Sequence, residues 1–80
     1  MIAVVEDEKE LCESLKMLLT EKGYEIVTAR SCDEADKYIG NPQIDMFLLD
    51  VKLPDGNGFD ICRKIRKSSE VPVIFLTSCD

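Results

Sequence analysis

Three carboxylates and a hydroxyl follow the apolar runs of this sequence in a pattern that could hold a metal ion. Glu6 and Asp7 come directly after the first run, Asp50 ends the third run and Thr77 ends the last. If the runs are parallel strands of one sheet, their carboxyl ends meet at one edge, where ligands bind in such sheets. Carboxylates brought together near neutral pH repel one another, so either one takes a proton or a cation neutralises the group.

The metal ligands expected at this edge are all oxygen atoms, which limits the metal ions that could bind there. The chain has no histidine, and its four cysteines form no C-x-x-C pair, so neither a zinc site nor a histidine proton shuttle is indicated. A few oxygen ligands with room for water suit Mg²⁺ or Mn²⁺, and such a site typically serves a phosphate. An aspartate can itself be the nucleophile in phosphoryl transfer. A threonine hydroxyl at the next strand end could then bond a phosphoryl oxygen.

The alternation of apolar patterns predicts four strands and three helices. The strands are expected over residues 2–5, 24–29, 45–50 and 71–77, and the helices over 8–22, 31–39 and 58–68. The third strand is continuously apolar, which is typical of a parallel strand covered on both faces. Short connections between strands and helices imply right-handed crossovers, so the predicted fold is α/β with a doubly wound parallel sheet.

Local signals mark the ends and inner faces of the helices. At the start of the first helix, Asp7 and Glu10 could form a capping box. Gly23 is expected to end this helix. Acids often cap helices, so Asp7 taken alone would be read as a cap, and the metal hypothesis rests on the co-occurrence of acids at several strand ends. In the third helix, Phe59, Cys62 and Ile65 are expected to face inward, and the basic residues between them to form a solvated face.

Composition excludes several classes of function. Eighty residues suffice for one small domain, and a net charge of −6 would repel nucleic acid, so no direct nucleic-acid contact is expected from this segment. No apolar run approaches the roughly 20 residues of a membrane span, and no signal peptide is recognisable. The cysteines are interpreted as reduced thiols that serve as small hydrophobic residues, which favours a cytoplasmic location.

Three segments together carry a family resemblance. "AVVEDE", "LLDVKLPDGNGFD" and "VIFLTS", in this order and spacing, resemble the receiver domain of two-component response regulators, most of all those attached to winged-helix DNA-binding domains. The resemblance implies a flavodoxin-like (CheY-like) sheet whose first four strands are ordered 2-1-3-4. It also implies that a sensor histidine kinase is the partner that donates the phosphoryl group, and that the output is transcription regulation.

The resemblance assigns roles to individual residues. Asp50 would be the phosphorylated aspartate, and Glu6 and Asp7 the acidic pair that holds Mg²⁺, with Asp7 as the direct ligand. Lys52 would give its backbone carbonyl to the metal, and Thr77 would sense the phosphoryl group. Many receivers have aspartate where this chain has Glu6, and the longer side chain is expected to reach the metal through water.

The family pattern extends beyond the fourth strand. Receivers continue with another helix, a fifth strand that carries an essential lysine, and a last helix, whereas none of the ten basic residues of this sequence follows its fourth strand. We therefore expect residues 1–80 to form a single receiver domain that is incomplete at its C-terminus. If these residues are the whole polypeptide, the exposed fourth strand or the uncovered sheet face is expected to form a homodimer.

Two other classes of function stay open at this point. A haloacid-dehalogenase-like phosphatase also uses a strand-end aspartate with Mg²⁺, but it requires a second acid two residues later, where this chain has Lys52. The other is an unphosphorylated protein-interaction module, because the family's lysine is absent from the sequence. Reaction with a small phosphodonor separates the three: a stable acyl phosphate indicates a receiver, steady phosphate release a phosphatase, and no reaction an interaction module.

Overall fold

A four-stranded parallel sheet organises the computed structural model, which describes residues 1–76. Along the chain the elements are β1 (Ile2–Val5), α1 (Lys9–Glu21), β2 (Ile26–Ala29), α2 (Cys32–Asp36), β3 (Met46–Asp50), β4 (Lys52–Leu53), β5 (Gly56–Asn57), α3 (Gly58–Arg66) and β6 (Val73–Leu76). The main sheet has the order β2-β1-β3-β6, and its three strand pairs are all parallel. Since β6 is the fourth predicted strand, the expected α/β fold and the order 2-1-3-4 are confirmed.

The central strand β1 is buried on both faces, whereas β3, for which this was predicted, is fully buried on one face and half-buried on the other, at Met46 and Leu48. Every residue of β1 is buried, and in β3 Phe47 and Leu49 are only 2% and 0% exposed. Side chains of a strand alternate between the two faces of its sheet. Ala3 and Val5 accordingly belong to the larger core, which includes two isoleucines of α3, while Ile2 and Val4 pack with Cys12 of α1.

The first helix has the expected length but a different N-terminus. Its N-cap is Glu8, which makes no side-chain capping bond, so the predicted capping box of Asp7 and Glu10 is wrong. A carboxylate oxygen of Glu6 instead accepts the backbone N–H of Glu8 at 3.1 Å. The helix ends at Glu21, two residues before Gly23, whose φ of 96° suits a residue without a side chain. Among residues 1–76, no helix combines the length and apolarity needed to cross a membrane.

The inner face of the third helix agrees with the sequence prediction at Ile65 and, half-buried, at Cys62, but not at Phe59. Ile61 and Ile65, one helical turn apart, are each 1% exposed, whereas Phe59 is 49% exposed. Residues two positions apart point about 200° apart around a helix, so Phe59 lies opposite Ile61. The prediction that Phe59 faces inward is therefore wrong, and its ring instead contacts that of Phe75, with centroids 4.9 Å apart.

A small antiparallel hairpin between β3 and α3 was not predicted. It consists of β4 and β5, with Lys52 opposite Asn57 and Leu53 opposite Gly56. The buried side chain of Leu53 joins the larger core. The hairpin lies directly after Asp50 in the chain, so it fixes the path of the backbone beyond the end of β3.

The sheet edge expected to be exposed is formed by β6. Within residues 1–76, β6 pairs only with β3, and the side chain of Ile74 is 49% exposed. Such an edge could pair with another strand. Association of two copies through it stays a prediction.

We expect Leu49→Ala to lower the free energy of unfolding by about 2 to 5 kcal/mol, because it leaves a cavity between the sheet and α3. Leu18→Ala removes the same atoms from a side chain that is 53% exposed, and should change stability by about 0.5 kcal/mol or less. Urea unfolding of the full protein followed by circular dichroism measures both. Equal losses in the two variants would contradict the assigned core.

Candidate metal centre

The carboxylates of Glu6, Asp7 and Asp50 meet at the carboxyl-terminal edge of the sheet. One oxygen from each lies within 4.8 Å of the others. The parallel pairing of β1 with β3 explains this, because Val5 is opposite Leu49, so the residues that follow them lie side by side. The structure thus brings together three of the four side chains that the sequence pointed to. The fourth, Thr77, lies outside the described residues.

The three acids differ in their exposure to solvent. Glu6 is 4% exposed and Asp50 is 5% exposed, whereas Asp7 is exposed. Burial of ionised carboxylates is costly unless hydrogen bonds or a cation compensate. The cluster therefore has a buried floor formed by Glu6 and Asp50, and an open side at Asp7 through which an ion or a phosphate could enter.

Burial and crowding raise the pKa of Glu6 above the ordinary value of a glutamate. Removal from water is the largest cause, and the charge of Asp50 and hydrogen bonds with Asp50 and Asp7 act in the same direction. The N–H of Glu8 opposes them by stabilising the ionised form. A raised pKa means that, without metal, the folded state becomes less stable as the pH rises from the ordinary glutamate value through the raised one. Ionisation of this cluster thus costs stability at neutral pH.

The donor set fits a small, hard divalent cation. The three oxygens lie within 4.8 Å of one another, somewhat more than the roughly 4.2 Å between opposite ligands of an octahedral Mg²⁺ shell. This spacing suits a site in which one of the carboxylates reaches the ion through water. Three carboxylates supply the negative charge, and an exposed side at Asp7 leaves room for water or phosphate oxygens. In the part of the chain that the structure describes, soft or nitrogen ligands do not contribute to this cluster, which favours Mg²⁺ or Mn²⁺ over zinc.

The main chain at Asp50 is fixed by a glycine that the sequence analysis did not assign to the site. The N–H of Gly58 donates to the carbonyl of Val51 at 2.9 Å. A Cβ atom at Gly58 would lie 2.3 Å from the carbonyl oxygen of Asp50, which is far inside van der Waals contact. Only glycine allows α3 to begin so close to the end of β3. The spacing of Gly56 and Gly58 in the motif was the available signal.

Arg30 supports the loop that carries Asp7, and nothing in the sequence pattern indicated it. Its Nε donates to the carbonyl of Asp7 at 3.0 Å, and its backbone N–H donates to the carboxylate of Glu34 at 2.9 Å. The first bond joins the end of β2 to the loop after β1, and the second joins it to α2. Lys52, whose backbone carbonyl was predicted to bind the metal, lies in β4 and has an exposed side chain; the carbonyl's role stays a prediction.

The basic side chains of α3 bond groups of this chain and are exposed to solvent. Arg63 pairs with Asp60, Lys64 pairs with Asp36 at 3.2 Å, and Arg66 donates to the carbonyl of Val71 at 2.6 Å. Exposed ion pairs of this kind contribute little to stability. The arrangement agrees with the predicted solvated face.

Comparison with known proteins gives a consistent result over nearly the whole chain. Residues 2–80 match the family of response regulator receiver domains. Among solved structures, the non-phosphorylated receiver domain of HemR from Leptospira biflexa has a TM-score of 0.91 at 39% identity, covering 95% of this chain and 62% of that one. A two-component response regulator from Clostridium difficile has a TM-score of 0.90 at 34% identity, covering 99% of this chain and 65% of that one.

A third structure was determined with ligands. The response regulator TrrA from Thermotoga maritima, in complex with Mg²⁺ and BeF, has a TM-score of 0.89 at 38% identity, covering 99% of this chain and 70% of that one. The chain spans less than two thirds of the length of the HemR and Clostridium difficile structures. The fold, the acidic cluster and the family match agree, and the chain belongs to the response regulator receiver domain family of two-component signal transduction.

Proposed function

We propose that Asp50 accepts a phosphoryl group from a sensor histidine kinase and that the resulting acyl phosphate switches an output domain. The observation that carries this proposal is the cluster of Glu6, Asp7 and Asp50, with oxygens within 4.8 Å of one another at the end of β3. In the transfer, a carboxylate oxygen of Asp50 bonds to phosphorus as the bond from phosphorus to the kinase's histidine nitrogen breaks. The chain acts as a phosphoacceptor that assists this step rather than as a separate enzyme.

Each acid has a distinct part in this proposal. Mg²⁺, when bound, neutralises the carboxylates and the charge on the phosphoryl oxygens. Asp7 would bind it directly, Glu6 would hold it through water from the buried side, and Asp50 and the backbone carbonyl of Lys52 would complete the protein ligands. Positioning and charge neutralisation supply most of the catalysis of phosphoryl transfer. The presence of Mg²⁺ and BeF in the TrrA structure supports Mg²⁺ as the ion, and the parts of the individual residues rest on the family resemblance.

Thr77 is proposed to report the phosphoryl group to the rest of the domain. Its predecessor Leu76 is the register partner of Asp50 in the pairing of β3 with β6. A hydroxyl that follows this position in the chain can bond a phosphoryl oxygen. Such a local bond can bias a two-state element and so signal phosphorylation.

The wider role is proposed from the same family resemblance. A winged-helix DNA-binding output would make the protein a transcription regulator, with DNA contacts made outside this acidic segment. Cys12, Cys32 and Cys62 are free thiols, which supports a reducing, cytoplasmic location.

Removing one ligand should abolish most of the metal affinity. We expect Asp7→Ala and Asp50→Asn to weaken Mg²⁺ binding by more than about tenfold, since even partners outside the ligand shell can contribute that much. Asp45→Asn is the matched control, because it removes one carboxylate from the opposite end of the same strand, where the side chain is 77% exposed. Calorimetric titration of the full protein measures all three. Unchanged affinity in both site variants would refute the metal site.

Phosphorylation should occur on Asp50 alone. Incubation of the full protein with acetyl phosphate and Mg²⁺ should add one phosphoryl group that hydroxylamine removes, and Asp50→Asn should abolish the adduct because it removes the nucleophile. Asp45→Asn should leave it intact. Intact mass and peptide mapping provide the measurement. An adduct on another aspartate contradicts the assignment, steady phosphate release favours a phosphatase, and no reaction favours an interaction module.

A further inference from the structure

One carboxylate outside the metal centre joins the β4–β5 hairpin to the second helix. Asp55, in the turn of the hairpin, accepts the backbone N–H of Cys32 at 2.7 Å through one oxygen and that of Asp33 at 3.0 Å through the other. These are the first two N–H groups of α2, which lack partners inside the helix. The bonds link positions more than 20 residues apart in sequence, so they determine where the hairpin lies relative to the sheet.

A side chain at the start of α2 packs against the same hairpin. The sulfur of Cys32 lies so near that a Cβ atom at Gly56 would be 2.9 Å from it, and it is 3.9 Å from the carbonyl oxygen of Asn57. The N–H groups of Cys32 and Asp33 lower the pKa of Asp55, so its carboxylate is ionised at neutral pH and both oxygens are available as acceptors.

The other end of the hairpin touches the metal centre. Lys52 pairs with Asn57, and the next residue, Gly58, packs against the carbonyl of Asp50 and bonds that of Val51. Asn57 also caps α3 by accepting the N–H of Asp60 at 3.0 Å. The hairpin is only six residues long, from 52 to 57, and both ends of it are held. Because Lys52 and Leu53 pair directly with Asn57 and Gly56, a shift of the turn at Asp55 can be passed to the backbone at Lys52.

We propose that Asp55 is a positioning residue for the metal centre: by holding the hairpin to α2, it places the backbone carbonyl of Lys52 where Mg²⁺ is bound. This inference rests on the proposed function, since it assumes that Mg²⁺ binds beside Asp50. Asp55 itself touches neither the ion nor the phosphoryl group. Its loss should weaken Mg²⁺ binding while the reacting carboxylate of Asp50 remains unaltered.

A role in stability alone would give a different result, and two measurements on the full protein separate them. The first is the dissociation constant of Mg²⁺ by calorimetry. The second is the rate of phosphorylation by acetyl phosphate as a function of Mg²⁺ concentration. For Asp55→Ala we expect the dissociation constant to rise by about three- to tenfold, which is at or below the lower limit of about tenfold for partners outside the ligand shell, because the side chain is exposed. The rate at saturating Mg²⁺ should stay within about twofold of the original.

Two further variants make the comparison specific. Asp36→Ala removes an equal charge from the last turn of α2, where Asp36 pairs with Lys64, and should leave Mg²⁺ affinity unchanged. Asp55→Asn keeps one acceptor oxygen and should give a smaller loss of Mg²⁺ affinity than Asp55→Ala. If Asp55→Ala fails to fold, the Mg²⁺ affinity of Asp55→Asn is compared with that of Asp36→Ala instead.

Each remaining outcome counts against the inference. Unchanged Mg²⁺ affinity in the Asp55 variants, or an equal loss in Asp36→Ala, overturns it. A lower rate at saturating Mg²⁺ with unchanged affinity overturns it as well, because the defect would then lie in the reacting group. If the unsubstituted protein binds no Mg²⁺, the proposed function itself fails, and this result is distinct from any difference among the variants.

Discussion

Repulsion among three carboxylates at one sheet edge is the constraint on which the rest of this structure depends. Glu6 and Asp50 are 4% and 5% exposed, so water screens their charges poorly. The raised pKa of Glu6 expresses the cost of this arrangement. A folded protein can keep such a cluster only if its frame is stable enough to hold the acids together, and a bound cation then recovers part of the cost.

The frame acts from the core outward. Buried residues of β1 and β3 pack on both faces of the sheet, and the parallel register carries Glu6 and Asp50 to the same edge. Contacts to backbone groups then set the positions of the chain segments around the acids. Gly58 allows α3 to start against the Asp50 carbonyl, Arg30 holds the carbonyl of Asp7, and Asp55 ties the hairpin to α2. Core packing thus brings the acids together, and a few polar contacts orient the chain segments around them.

Periodic patterns along the chain predicted the strands and helices well. Contacts between distant segments could not be predicted from them. The parallel α/β sheet followed from continuous apolar runs separated by helices, whereas its order 2-1-3-4 came from the family resemblance. The edge location of Glu6, Asp7 and Asp50 followed from strand direction. Two-residue strands such as β4 and β5 have no period to detect, and Phe59 and Ile61 differ only in helix phase, which the cap at Asn57 sets. The bonds of Asp55 to α2 and of Arg30 to Asp7 each span more than 20 residues, and no local signal reveals them.

Thermal unfolding at neutral pH, with and without Mg²⁺, tests the central claim most directly when the full protein is compared with its Asp50→Asn variant. Without metal, the variant should be the more stable, because one of the repelling charges is gone. Mg²⁺ at ten times its dissociation constant should stabilise the original protein by about 1.4 kcal/mol and the variant much less. If Asp50→Asn is no more stable than the original without metal, and Mg²⁺ stabilises both equally, carboxylate repulsion relieved by a cation does not govern this site.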